Sequence, residues 1–304
     1  MSKRLFILFV IFSMSSSSYA CDICGCGNGS SFYGILPQYH RGFVGMRYKQ
    51  KQFSSHISSD VLSTTEDFST AELWGRFYPS KKIQVLTFVP YHFNSQFRNI
   101  DKSTESIQGL GDISILASYN LINTYADTTY KKEVLHQLLA GVGLKAPTGA
   151  FAYDPYSVDE VANANFQLGT GSWDTPLNLN YTLKNKNSGI NVNATYKINT
   201  KNANEYKFGN RTSLAAQAFR MMATQKTLFM PLVGFYAETF PMDKVEGQLN
   251  EFTGGSLLAA SAGLETYTGK LAIGLNLQLP ISQKMSDGEL KLNYSAMAHV
   301  TLNF

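Results

Sequence analysis

The last fifteen residues alternate without a break. Leu290, Leu292, Tyr294, Ala296, Ala298, Val300, Leu302 and Phe304 fall on one side, and Lys291, Asn293, Ser295, Met297, His299, Thr301 and Asn303 on the other. A period of two is the signature of an extended strand whose side chains point alternately to opposite faces. Globular strands usually end after five or six residues, so alternation over this length needs another explanation. Gly189–Asn199 repeats the pattern with Ile190, Val192, Ala194, Tyr196 and Ile198 against Asn191, Asn193, Thr195, Lys197 and Asn199. Leu271–Pro280 repeats it with five apolar residues against Ala272, Gly274, Asn276, Gln278 and Pro280. Strands of roughly ten residues, apolar on one face and polar or small on the other, are what a closed lipid-embedded sheet requires.

Twelve such segments are legible: 42–52, 67–78, 83–93, 109–121, 136–146, 166–183, 189–199, 207–220, 228–238, 254–267, 270–280 and 289–304. Twelve is even, as a closed single-chain barrel with both termini at one end demands. The connections alternate in length. Asn94–Gln108, Pro147–Asn165 and Thr239–Thr253 are long, whereas Pro79–Lys82, Lys184–Ser188 and Thr268–Gly269 are short. Ile122–Leu135 is too long for its side, and Pro90 and Pro231 fall inside strands, where a missing N–H calls for a bulge. The expected fold class is therefore all-β, a closed antiparallel transmembrane β-barrel of about twelve strands. A soluble β-sandwich also alternates, but its strands are shorter.

Composition excludes other classes. With 16% charged and 13% aromatic residues the chain is not disordered. The longest apolar run, Leu5–Phe12, has eight residues, far short of a membrane helix. The net charge of +4 gives no electrostatic footprint for nucleic acid.

Residues 1–20 read as a cleaved signal peptide, with Lys3-Arg4, the apolar Leu5–Met14 and the small-x-small site Ser18-Tyr19-Ala20. Residues 21–41 then form a Cys-rich segment, periplasmic or plugging the lumen, ahead of the barrel at 42–304. All three cysteines, Cys21, Cys24 and Cys26, lie in that segment. Three readings of them stay open. Their thiolates converge on a soft ion, Cu or Zn; two of them form a disulfide in an oxidising compartment; or Cys21 is lipidated, although Ser18 is unlike the apolar residue usual before a lipidation site.

Three short motifs occur in order: Gly109-Leu110-Gly111-Asp112, Lys145-Ala146-Pro147-Thr148-Gly149 and Leu168-Gly169-Thr170-Gly171-Ser172-Trp173-Asp174. With the terminal Phe304 behind Val300 and Leu302, the set resembles the exported barrels grouped with the meta-pathway of phenol degradation. The resemblance implies an outer-membrane barrel engaged in transport and assembled by the outer-membrane assembly machinery. The cysteine segment lies outside it. The glycines and proline of these motifs also have a purely geometric reading as rim turns, bulges and close approaches.

The inner faces read as a largely neutral hydrogen-bonding wall, with Asn191, Asn193 and Asn276 as lumen-lining candidates. Asp112, Lys145, Lys197, Lys291 and His299 add scattered charge. Such a wall suits a channel for small polar or aromatic solutes or a self-plugged lumen. The alternative is metal or redox handling by the cysteines. No enzyme is expected: His56-Ile57-Ser58 beside Asp60 reads as a solvated loop tip, and His92 and His299 as polar wall positions. Membrane lipid and a small solute are the expected partners. The segment order predicts cleavage after Ala20; intact-mass measurement of the membrane-extracted protein should find Cys21 as the first residue, and an uncleaved start would refute the reading.

Overall fold

The computed structural model describes residues 42–125, 133–153 and 164–304. The signal segment and Cys21, Cys24 and Cys26 lie outside the described residues. Twelve long strands form the wall: β1 (Phe43–Ser55), β2 (Thr64–Ser80), β3 (Ile83–Arg98), β4 in two pieces (Thr104–Leu110 and Ser114–Asn123), β5 (Val134–Lys145) and β6 (Asp174–Asn185). They continue as β7 (Ser188–Asn199), β8 (Arg211–Arg220), β9 (Thr227–Phe240), β10 (Gly255–Thr268), β11 (Leu271–Met285) and β12 (Leu290–Asn303). Each is antiparallel to its predecessor, and β12 pairs back onto β1 from Phe43↔Asn303 to Ser55↔Leu290, which closes the sheet. Closure is the requirement that hydrocarbon places on a β-structure, because a lipid-exposed edge would leave N–H and C=O groups without partners.

The short turns 81–82, 186–187 and 269–270 share one end with both ends of the barrel sequence. The connections 146–173, 200–210 and 241–254 lie at the other. One expected long loop is mostly strand. Residues 94–98 and 104–108 continue β3 and β4 as a paired hairpin, with Phe97 opposite Thr104 and Asn94 opposite Ile107. Its outward residues Ser95, Thr104, Ser106 and Gln108 are polar and only Phe97 is apolar, so the hydrophobic alternation that marks the other strands is broken. Residues 166–173, expected to begin β6, belong to the preceding connection, and β8 begins at Arg211 rather than 207.

Proline marks the interruptions of the wall. Pro90 lies opposite the gap between the two pieces of β4. Pro176 lies where the β5–β6 ladder skips from Val142↔Leu177 to Lys145↔Asp174. Pro231 falls between Leu232↔Phe219 and Phe229↔Met222. Pro280 adjoins the bulge at Ile281. A residue without an N–H is tolerated where the neighbouring ladder needs no donor.

Side-chain parity separates two environments. Val300, Leu302, Leu275, Leu277, Leu179 and Val233 point outward and are exposed, whereas His299, Thr301, Asn276, Asn178 and Leu232 are buried inside. The expected facing fails in one place. Leu290 and Leu292 are buried in the interior, while Lys291 and Asn293 are exposed on the outer surface. The register explains the reversal: Gln52 pairs with Tyr294 and Phe53 with Leu292, so Asn293 is an extra residue that flips every side chain beyond it. Ile281 does the same to β11, between Ala259↔Pro280 and Leu258↔Ser282. Lys291 is thus not a lumen residue.

Beyond the wall, a small sheet of Tyr206–Lys207, Lys244–Val245 and Gln248–Leu249 ties two outer connections together. Asp243 anchors it, accepting bonds from Tyr206 Oη–H at 2.6 Å and Gly209 N–H at 2.7 Å. Burial pushes its carboxyl up, against those two donors.

Parity gives a direct test. Val192 faces outward and Asn193 is buried inside. Val192→Arg should cost roughly 2–4 kcal/mol at mid-membrane, whereas Asn193→Ser should leave the folded yield near wild type. Urea titration of vesicle-folded protein measures both; equal tolerance would place this strand outside lipid.

Candidate functional site

The lumen is organised by one row of side chains running across six neighbouring strands. Glu265 on β10, Gly274 on β11, His299 on β12, Arg47 on β1, Glu72 on β2 and Pro90 on β3 are consecutive cross-strand partners. His299 Nε2 lies 2.9 Å from Glu265 Oε1, spanning the intervening strand. A Cβ at 274 would displace both His299 Nε2 and Glu265 Oε1, so glycine there leaves the pair room to meet. Glu72 takes an ion pair from Arg47 and a second from Lys49 Nζ at 2.6 Å. The Arg47 guanidinium also lies 4.6 Å above the Trp74 ring, and Trp74 meets His299 edge-on at 5.5 Å. Arg211 and Glu238 form another buried pair at 3.0 Å on β8 and β9.

This interior corrects the expectation of a largely neutral wall. Arg47, Glu66, Glu72, Arg76, Arg211, Glu238 and Glu265 are all buried and inward-facing. A signal for them existed: Arg47 and Lys49 alternate with Met46 and Tyr48, and Glu72 precedes the outward Leu73. The neutral part of the wall is an amide ladder. Asn178 Nδ2–H donates to Thr195 Oγ1 at 2.8 Å and to Asn193 Oδ1 at 3.3 Å, and Asn191 Nδ2–H to Thr182 Oγ1 at 2.8 Å.

The three sequence motifs, at 109–112, 145–149 and 168–174, converge on one knot. Lys145 Nζ at the end of β5 lies 2.5 Å from Asp112 Oδ2 and 2.9 Å from Asp174 Oδ2, at the start of β6. Asp112 also accepts bonds from Thr170 N–H at 2.9 Å and Gly149 N–H at 3.0 Å. Thr148 Oγ1–H donates to Gly111 C=O at 2.7 Å and accepts from Ile113 N–H at 2.9 Å, bracing the gap in β4. Gly169 passes so close to Asp112 that any side chain would strike the carboxylate. The knot therefore fastens both ends of the 146–173 connection to the inner wall.

That connection delivers Phe166 into the outer mouth. Phe166 packs with Phe53, Phe68, Tyr236, Phe240, Leu257, Met285, Leu290 and Leu292, and Ile107 packs against them. These residues come from β1, β2, β4 and β9–β12, so the cluster is an apolar collar around the mouth. Phe68 stands between Phe53 at 5.8 Å and Phe166 at 6.3 Å. At the short-turn end two further inner clusters occur, Phe43, Trp74, Leu86, Phe88 and Leu116 on one side and Phe219, Met230 and Leu232 on another.

Of the sequence candidates, Asp112 and Lys145 meet in the knot, Asn191 and Asn193 in the amide ladder, and His299 in the charged row. Lys197 and Asn276 are buried on inner faces, and Lys291 is outside. His56 is buried at the top of β1 rather than solvated, Asp60 is exposed, and the Ser58 N–H binds Glu289 at 3.1 Å. Among the described residues no group of three His, Cys, Asp or Glu side chains is placed to hold a metal ion. Lys145→Met strands two buried carboxylates without a countercharge, which should cost about 3–5 kcal/mol and expose the adjoining residues 146–153 and 164–173 to protease. Unfolding titration and limited proteolysis check this; an unchanged digestion pattern would remove the knot's anchoring role.

Comparison with known proteins agrees with this architecture. The chain is similar to an outer membrane channel from Pseudomonas putida F1, with 16% identity, a TM-score of 0.57 and coverage of 91% of this chain and 99% of that one. It is also similar to the beta domain of the Bordetella autotransporter BrkA, at 10% identity and a TM-score of 0.52, covering 87% of this chain and 100% of that one. At such identities the likeness is one of fold. No curated protein matches the chain. A family model described as putative MetA-pathway of phenol degradation matches residues 52–284, a span that contains all three motifs of the knot. The chain belongs to that family.

Proposed function

We propose that this barrel is an outer-membrane channel for small solutes that combine an aromatic or apolar part with a polar group. The observation that carries the reading is the order of surfaces along the axis: an apolar collar built around Phe53, Phe68 and Phe166, then a charged and amide-lined waist, then the rings of Phe43, Trp74 and Phe88. A ring-bearing solute finds dispersion contacts at both ends, and its polar group meets donors and acceptors at the waist. A fully hydrated sugar would lose water at the collar without replacement.

Export with cleavage after Ala20 and residence in the outer membrane belong to the same proposal, supported by the order of Met1–Ala20 and the outward apolar band. A soft-metal role for Cys21, Cys24 and Cys26 rests on spacing alone. Metal content of purified protein against a triple Cys→Ser variant tests it separately from conduction.

Liposome swelling with aromatic carboxylates and sugars of similar mass tests the channel. The aromatic solutes should enter faster, and Phe166→Ala should raise sugar entry and narrow the difference. Equal rates for both classes in the wild type would overturn the assignment, as would swelling no faster than protein-free vesicles.

A further inference from the structure

The outer face of β8 is low between two high neighbours. Ala218 stands in register with Ile190 on β7 and Val233 on β9, both exposed and far larger. Ala216 likewise lies between Val192 and Phe235. The result is an apolar groove of about 580 Å³ whose lining includes Leu183, Ile190, Ala218, Pro231 and Val233. The β8–β9 ladder is interrupted beside Pro231, which lines the groove toward the short turns. Arg220, exposed on the same face of β8, and Ser188 line its short-turn end.

Around the short-turn end of the barrel the exposed charge is predominantly positive. Lys81, Lys82, Lys186, Arg220, Lys226 and Lys270 are exposed there, and the exposed acid among the described residues of that end, Glu133, is paired with Lys186 at 3.3 Å. Lys82 Nζ lies 6.0 Å from the outward Tyr119 ring, which sets that cation at the edge of the outward apolar band. The long-loop end is mixed: Asp60, Asp101, Glu246 and Asp287 stand among Lys102, Lys244 and Lys284. A second outer groove of about 560 Å³, beside Leu275, Leu277, Ala296 and Ala298, has no cation in its lining.

We propose that the β8 groove binds an anionic phospholipid of the leaflet at the short-turn end. One acyl chain lies along β8 over Ala218, the phosphate sits on Arg220, and Lys186 and Lys226 in the flanking turns hold the rest of the headgroup. The groove supplies apolar contact for a chain, and the collar of cations supplies the field that selects a negative headgroup over a zwitterionic one. The proposal rests on the membrane placement of the barrel and not on what it conducts.

Native mass spectrometry of the full-length protein in detergent tests it, with phosphatidylglycerol, phosphatidylcholine or inorganic phosphate added. Wild type should retain phosphatidylglycerol in preference to phosphatidylcholine. Arg220→Gln should weaken that retention on the order of fivefold, the effect of one interfacial cation. Ala218→Leu, which fills the groove with a lipid-compatible side chain, should weaken it as well, and Ala296→Leu in the second groove should not. If Arg220→Gln fails to give a heat-modifiable folded band, Lys226→Gln in the adjoining turn takes its place. Equal retention of both lipids, or equal retention across all variants, would mean annular lipid without a built site and overturn the proposal. Displacement of phosphatidylglycerol by inorganic phosphate would overturn it in favour of a simple anion site. Loss of solute permeation alone would bear on the channel and leave the lipid site standing.

Discussion

Everything in this molecule follows from the cost of an unpaired backbone group in hydrocarbon. A sheet pays that cost at every edge, so the wall must close, and closure of twelve strands is achieved by a thirteen-residue pairing of β1 with β12 that tolerates one bulge. The same constraint governs where the wall can be interrupted. Pro90, Pro176, Pro231 and Pro280 each remove a donor, and each stands where the adjoining ladder is already broken. Ladder gaps and prolines are therefore one phenomenon. The gap beside Pro90 admits the motif knot, and the gap beside Pro231 borders the outer groove.

Inside the wall the solvent changes and the rule becomes electrostatic. Buried charges are retained only with partners, because desolvation of a lone carboxylate or guanidinium exceeds what any packing returns. Most of the interior's charges obey this in pairs and triplets: Arg47 and Lys49 on Glu72, His299 on Glu265, Arg211 on Glu238, and Lys145 between Asp112 and Asp174. Each joins side chains from separate segments of the wall, so the charges also tie strands together. Gly274 shows how far the backbone yields to this arrangement, giving up its side chain so that His299 can reach across it.

The fold was legible in the sequence because lipid imposes a monotonous period on every strand that crosses it. Leu271–Pro280 and Gly189–Asn199 announced themselves for that reason. The hairpin extension at 94–108 did not, since beyond the lipid band nothing requires its outward residues to be apolar. The knot was half legible: the motifs stood out, but Asp112, Lys145 and Asp174 are far apart in the chain, and only strand register brings them together. The charged row was missed for a similar reason. Glu265, His299 and Arg47 lie on strands from both ends of the sequence, and Lys291 was misplaced because a single bulged residue leaves no mark in a pattern that keeps alternating through it.

That bulge also explains why the outer mouth is apolar. Below Asn293 and Ile281 the apolar residues of β12 and β11 face lipid. Above them, alternation continues but the faces are exchanged. Leu290, Leu292 and Met285 turn inward and join the collar, while Lys291, Asn293, Ser282 and Lys284 turn outward. Above the hydrocarbon an outward leucine would gain nothing, and an inward one meets Phe53, Phe68 and Phe166. The level at which the membrane ends and the level at which the collar begins are thus set by the same two extra residues. Moving either bulge along its strand would shift both together, so the apolar lining of the mouth and the height of the outward apolar band are physically linked properties.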